Sequence, residues 1–249
     1  MSQIDQEAPL VDHLTELRKR VINSIVFIGI GFIVCWFYKT EIFSYIRKPI
    51  HPYLPQTDGG LVFAAPTDMF FAYIKVASVA GVIISAPFWL YQLWMFVSPA
   101  LYKEEKKFGF LFIFFGTLLF LSGVAFVYYV VYPAAFGFLL SFGGGPEKPM
   151  IHVDKYLSFI TTTTLAFGTA FEMPLVLFLL ALNGVISSST LRNVRRYAIV
   201  IIATASAILT PPDVFSQILM IIPLYSMYEG TILVIAFMEK RRSKNQTSS

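Results

Sequence analysis

Six long apolar stretches alternate with polar connectors along the chain, at residues 21–38, 69–97, 108–132, 156–182, 197–209 and 214–238. Together they hold 137 residues and only three charges, Lys75, Glu172 and Glu229. Four of them comfortably exceed the roughly 20 residues that cross a hydrocarbon core about 30 Å thick. The pattern predicts an all-α membrane protein of six transmembrane helices. The last two are expected to be short, because Thr210-Pro211-Pro212-Asp213 interrupts an otherwise continuous apolar run. Two adjacent prolines remove two backbone donors and clash with the preceding turn. That segment is therefore either a hairpin of two spans or a re-entrant loop. As a hairpin, its first arm is about 20 Å long by helix rise and is accommodated by a thinned bilayer.

The connectors set the orientation. With the N-terminus inside, the inner segments 1–20, 98–107, 183–196 and 239–249 carry 13 Lys and Arg, and the outer segments carry 5. Basic loops remain in the cytoplasm, so both termini are expected there, and an even number of spans follows. The hairpin keeps Arg195, Arg196, Glu239 and Lys240 on that same side. Residues 9–20 (PLVDHLTELRKR) predict a separate helix lying in the interface. Leu10, Leu14, Leu17 and Val21 form its apolar stripe, Asp12, Glu16, Lys19 and Arg20 line the opposite face, and Pro9 suits a first helical position. The outer loop 39–68 holds Pro49, Pro52, Pro55 and Pro66, which argue for an ordered cap, and Ile42, Phe43 and Ile46 suit a short helix within it. Gly143-Gly144-Gly145-Pro146 reads as a connector.

Composition narrows the class further. Of 249 residues, 56% are hydrophobic and 14% charged, against about 25% charged in soluble domains, and mean hydropathy is +0.68. A soluble enzyme, a disordered chain and a disulfide scaffold are excluded, the last also because Cys35 is the only cysteine. No cleavable leader is expected, since the first twenty residues are polar. His13, His51 and His152 are scattered without metal-ligand spacing. No nucleotide motif or catalytic triad is legible, so no cofactor, no metal and no nucleic-acid partner are expected.

The polar groups inside the spans carry the remaining information. Glu172 lies near the centre of its span, where a carboxylate is expensive. It shares a face with Thr161, Thr164 and Gly168. Either that face is a helix–helix seam, or it lines a polar concave groove open to water. Lys75 is expected to snorkel to the outer interface, and Glu229 to pair with a tyrosine hydroxyl. Glu16 makes an ordinary i,i+4 pair with Arg20 or serves as a binding carboxylate. Glu104 and Glu105 sit in a run with Lys103, Lys106 and Lys107 that needs no role beyond solvation.

Several segments, in order, resemble the TatC family, the multi-spanning core subunit of the twin-arginine protein translocase. They are His13-Leu14-Thr15-Glu16-Leu17-Arg18-Lys19-Arg20, Ser85-Ala86-Pro87 with Leu90-Tyr91-Gln92 and Trp94-Met95-Phe96, Ser98-Pro99-Ala100-Leu101-Tyr102 ending in Glu105, Phe167-Gly168 with Phe171-Glu172-Met173-Pro174, and Thr210-Pro211-Pro212-Asp213 with Ser216-Gln217. The resemblance implies a bacterial plasma-membrane subunit that binds twin-arginine signal peptides of folded cargo at its cytoplasmic face. It implies assembly with single-span TatA and TatB, a homo-oligomer within the complex, and export driven by the proton-motive force. It further implies that Glu16 and Glu105 receive the two arginines, with Phe96, His13 and Arg18 beside them. Glu172 then becomes the polar point of the intramembrane groove. Thr210 and Gln217 are implied to be the docking site of a partner helix, and Pro49 and Asp213 positions of architectural importance. The alternative class is a proton-coupled secondary transporter using Glu172, and a ligand-free scaffold subunit is a third.

Overall fold

The computed structural model describes residues 4–54, 60–98, 109–141, 150–209 and 214–246. Glu105, Thr210 and Asp213, and the glycines of the 143–146 connector, lie outside them. The described residues are helical nearly throughout: α1 (Ile4–Phe37), α2 (Lys39–Arg47), α3 (Asp68–Ile84), α4 (Ala86–Val97), α5 (Gly109–Phe126), α6 (Tyr132–Ser141), α7 (Val153–Ala170), α8 (Met173–Leu182), α9 (Ser188–Asn193), α10 (Arg195–Leu209) and α11 (Val214–Gln246). Four stretches are long and apolar enough to cross a bilayer: His13–Phe37, Gly109–Ser141, Val153–Leu182 and Gln217–Arg241. The pair α3 and α4 makes a fifth if it is one bent span.

Three prolines explain why these stretches are broken. A proline clashes with the carbonyl four residues before it and offers no N–H. Pro87 follows a 57° bend between α3 and α4, where the Trp89 indole and the Ser85 hydroxyl donate to the Val82 carbonyl at 3.1 and 3.3 Å. Pro133 follows a π turn at Val127–Val131, whose wider coil relieves the same clash. Pro174 follows the Phe171–Glu172 turn that separates α7 from α8. The expected continuous spans at 69–97 and 156–182 are thus each two helices.

Two other expectations differ from the structure. Residues 9–20 do not form a separate interfacial helix: they and the first span are one unbroken helix of 34 residues, because no glycine or proline interrupts residues 10–28. Of the last two helices only α10 is short, at 15 residues, whereas α11 runs for 33 and carries Pro223 without breaking. These two lie antiparallel, because Arg195 pairs with Glu229 while Gln217 Nε2 donates to the Ala203 carbonyl at 3.1 Å.

Of the cap expected over residues 39–68, the described residues 39–54 pack on the bundle. Ile42, Phe43 and Ile46 of α2 pack on the core, as do the buried Ile50 and Leu54 beyond the turn at Pro49. Tyr156 reaches across to donate to the Ile46 carbonyl at 2.6 Å. In α2, Glu41 accepts from its own backbone N–H and from the Thr40 hydroxyl, which holds its carboxyl below the ordinary range. At the opposite end of the bundle, Trp94 of α4, Phe112 of α5 and Leu179 and Leu182 of α8 pack together with Met238 of α11. A methyl group on Gly109 would lie 2.5 Å from Trp94 Nε1, so the end of α4 and the start of α5 are in contact there. Gly184, at φ +72°, ends α8 in the left-handed conformation. The N–H groups of Gly184 and Val185 close that end on the Ala181 and Leu180 carbonyls.

Lys75 does not simply snorkel. Its ammonium pairs with Asp154 and donates to Ser158 at 2.8 Å, joining α3 to the first turns of α7. Lys75 and Asp154 are 35% and 47% exposed, so the pair is worth about 1 kcal/mol rather than the several expected of a buried one. Lys75→Met and Asp154→Asn are each expected to lower the unfolding midpoint in detergent. The double variant should lose less than the sum of the two, as a double-mutant cycle by thermal unfolding will measure.

Candidate functional site

Polar side chains converge where the N-terminal half of α1 crosses the C-terminal half of α4. His13, Glu16 and Arg20 follow one another at intervals of three and four, so they share one face of α1. That face meets α4, whose own i,i+4 pair Gln92 and Phe96 answers it. The His13 ring stacks on Phe96 with centroids 4.6 Å apart and planes 26° from parallel. One turn further on, Arg20 Nη2 donates to Glu16 Oε1 at 3.2 Å, and Arg20 Nη1 to Gln92 Oε1 at 3.4 Å. Asn23 Nδ2 donates to the same Gln92 oxygen at 3.4 Å. Gln92 is 5% exposed, a buried amide whose carbonyl is shared by two donors from α1. The apolar surroundings make such sharing worthwhile, since an unsatisfied buried amide costs about 1–3 kcal/mol.

Of the residues singled out from the sequence, the structure brings together His13, Glu16 and Phe96. Arg18 is exposed and, two residues from Glu16, projects about 160° around the helix from it. Arg20, Asn23 and Gln92 complete the cluster and were not singled out as site residues. Their signal was available, because an amide amid an apolar run and two polar residues at i+4 and i+7 from Glu16 imply a shared polar face. Val97 and Gly109, which flank residues 98–108, both lie at this end of the bundle, as the Trp94–Gly109 contact requires.

Glu172 occupies the turn between α7 and α8, half-buried. Its Oε1 is buried with no hydrogen-bond partner among the described residues, and its Oε2 lies 3.4 Å from where a methyl group on Gly116 of α5 would sit. The threonine–glycine face leading to it is packed at Thr164, which is buried and shares a 2.6 Å hydrogen bond with Tyr132, and at Gly168, which accommodates the Phe120 ring, while Thr161 and Glu172 on the same face stay half-buried. Glu229 takes the tyrosine expected, Tyr225, at 2.9 Å, and also Arg195 at 2.6 Å. Glu239 of α11 accepts from the Ser188 backbone N–H at 3.0 Å and from the Ser188 hydroxyl, anchoring the start of α9.

Long apolar helices broken at prolines, with polar clusters at helix ends and at one break, define a polytopic helical membrane protein. The sequence matches the family described as Sec-independent protein translocase protein (TatC) over residues 12–223. The Sec-independent protein translocase protein TatC of Desulforapulum autotrophicum is 36% identical over 246 residues, spanning 99% of this chain and 91% of the relative. Its counterpart in Escherichia coli (strain K12) is 38% identical over 249 residues, spanning 98% and 94%. A crystal structure of Twin Arginine Translocase Receptor TatC in DDM superimposes with a TM-score of 0.80 at 39% identity, covering 90% of this chain and 99% of that one. The chain belongs to the TatC family. It is a multi-pass membrane subunit of a Sec-independent protein translocase, a component of protein transport and not an enzyme.

Proposed function

We propose that the protein is the receptor subunit of a twin-arginine translocase, reading the two arginines of a signal peptide with Glu16 and Glu105. Guanidinium groups are planar forks that match carboxylates bidentately, so one carboxylate for each arginine accounts for a preference over lysine. The observation that carries this reading is the His13–Phe96 stack beside Glu16, an acidic group with an apolar wall one helical turn away. That arrangement suits a basic pair flanked by apolar residues. Arg18 sits on the exposed side of the same helix and contacts peptide or lipid headgroups there. The 13-to-5 distribution of basic residues supports a cytoplasmic location for this end, with both termini inside and six spans, α10 being the short fifth. The membrane is then the bacterial plasma membrane.

In this reading Glu172 is the polar point of a groove that meets the inserted peptide. Single-span TatA- and TatB-type partners dock on the α10–α11 hairpin near Thr210 and Gln217. Pro49, just past α2, contributes to the outer cap, and Asp213 is a position of architectural importance. Copies of the subunit assemble together, and the proton-motive force drives export of folded cargo. The test is photo-crosslinking from positions beside Glu16 and Glu105 to peptides carrying Arg-Arg or Lys-Lys. Labelling is expected to favour Arg-Arg and to fall as ionic strength rises, because the site borders water and its charges are screened. Equal labelling of the two peptides overturns the carboxylate reading, and salt-independent labelling transfers the recognition to apolar contacts such as Phe96.

A further inference from the structure

Arg20 presents a guanidinium to the very carboxylate at which an arginine of the signal peptide would be read. Among the described residues only one oxygen of Glu16 is engaged, at 3.2 Å, and the second arm of the guanidinium reaches Gln92 at 3.4 Å. Both contacts are long for a charged donor, since charge-assisted N–H···O bonds run about 2.7–2.9 Å. The two-pronged match that a guanidinium makes with a single carboxylate is not formed. The Nε of Arg20 is buried with no acceptor among the described residues, so this guanidinium does not reach its full complement of hydrogen bonds. Glu16 and Arg20 retain 32% and 19% exposure, which leaves the pair open to an approaching ligand.

We propose that Arg20 sets the affinity of the site, as an internal occupant of the Glu16 carboxylate that an incoming cation must displace. The proposal rests on the receptor reading of Glu16. An ammonium brings a single point charge and therefore exchanges one cation contact for another, with little gained. A guanidinium aligned with both oxygens of Glu16 replaces one long contact by two short ones, so only arginine makes the exchange favourable. Arg20, once displaced, keeps the Gln92 carbonyl within reach of Nη1 and gains water for its other donors. The cost of displacing Arg20 is common to both cations, so Arg20 lowers the affinity for each while the geometry of the carboxylate sets the preference for arginine.

The experiment measures equilibrium binding of labelled Arg-Arg and Lys-Lys signal peptides to the full-length protein in detergent. It compares the wild type with Arg20→Gln, Arg20→Lys and Glu16→Gln. Arg20→Gln vacates the carboxylate and is expected to tighten Arg-Arg and Lys-Lys binding alike, each about threefold, with the ratio of the two affinities little changed because the displaced contact is the same for both. Arg20→Lys keeps the charge with a weaker hold on Glu16, so it should tighten both by a smaller factor, and it serves as the test if Arg20→Gln does not fold. Weaker or unchanged Arg-Arg binding in Arg20→Gln overturns the proposal while a loss of binding in Glu16→Gln keeps the receptor reading intact. Wild-type binding of both peptides by Glu16→Gln overturns the receptor reading itself.

Discussion

Replacing Glu16 and Glu105 together by alanine is expected to weaken binding of an Arg-Arg signal peptide by about 100-fold or more, while the protein still inserts and folds. The magnitude follows from two charge-assisted hydrogen-bonded contacts at about 1.5–3 kcal/mol each, taken at the lower end because Glu16 is one-third exposed. Their sum of about 3 kcal/mol corresponds to more than two decades in affinity. Each single alanine variant should lose about tenfold, and the losses should add if the carboxylates hold different arginines. Fluorescence anisotropy with a labelled peptide at two salt concentrations measures both the loss and its screening. A loss below threefold in the double variant would remove these carboxylates from the recognition step. The freed Arg20 keeps the Gln92 carbonyl within reach of its Nη1, which limits what the substitutions leave unpaired, and the thermal midpoint checks that the fold is intact. A fall in binding is therefore attributable to the missing acceptors.

Gly81→Val is expected to destabilise the protein by about 3 kcal/mol, at the upper end of the usual overpacking penalty. A side-chain carbon on Gly81 would lie 2.6 Å from the Phe32 nitrogen and 2.9 Å from its Cα, and one on Gly31 would lie 2.6 Å from the Gly81 carbonyl oxygen. Both sides of this crossing are backbone, so no side-chain rotation relieves the contact and α1 must move away from α3. Glu16 is fifteen residues from Gly31 along α1, about 22 Å by helix rise. A tilt at the crossing therefore shifts Glu16 and His13 against Gln92 and Phe96, and peptide affinity should fall together with the thermal midpoint. Gly29 provides the control. Nothing approaches within 4 Å of a side-chain carbon there, so Gly29→Ala should be neutral or mildly stabilising through helix propensity. Equal midpoints for Gly81→Val and Gly29→Ala would show that the crossing relaxes freely.

The helical class and the positions of the long apolar stretches were legible because burial in lipid imposes a length and a composition on each span. The breaks were only partly legible. The prolines at 87, 133 and 174 are plain in the sequence, yet Pro223 has the same chemistry and leaves α11 continuous. Whether a proline breaks a helix depends on the contacts around it, such as the Trp89 indole donating to the Val82 carbonyl at the bend before Pro87. Continuity of α1 was missed because an amphipathic stripe looks the same in a helix lying at an interface and in the end of a longer span. The Glu16–Arg20 pair was visible as an i,i+4 spacing. Its attachment to Gln92, seventy-two residues from Arg20, had no local signature.

By itself, then, the sequence determined a membrane-embedded helical protein, the segments that form it, a distribution of basic residues that orients it, and the acidic groups available to bind cations. These follow from local rules, since apolar length, periodicity and charge distribution act residue by residue. Only the tertiary structure decided that His13 stacks on Phe96, that Lys75 meets Asp154, that α1 and α3 touch backbone to backbone, and that Gln92 takes the second arm of the Arg20 guanidinium. Each of those joins residues far apart in the chain, and the geometry of helix crossings, which no single segment encodes, brings them within hydrogen-bonding distance.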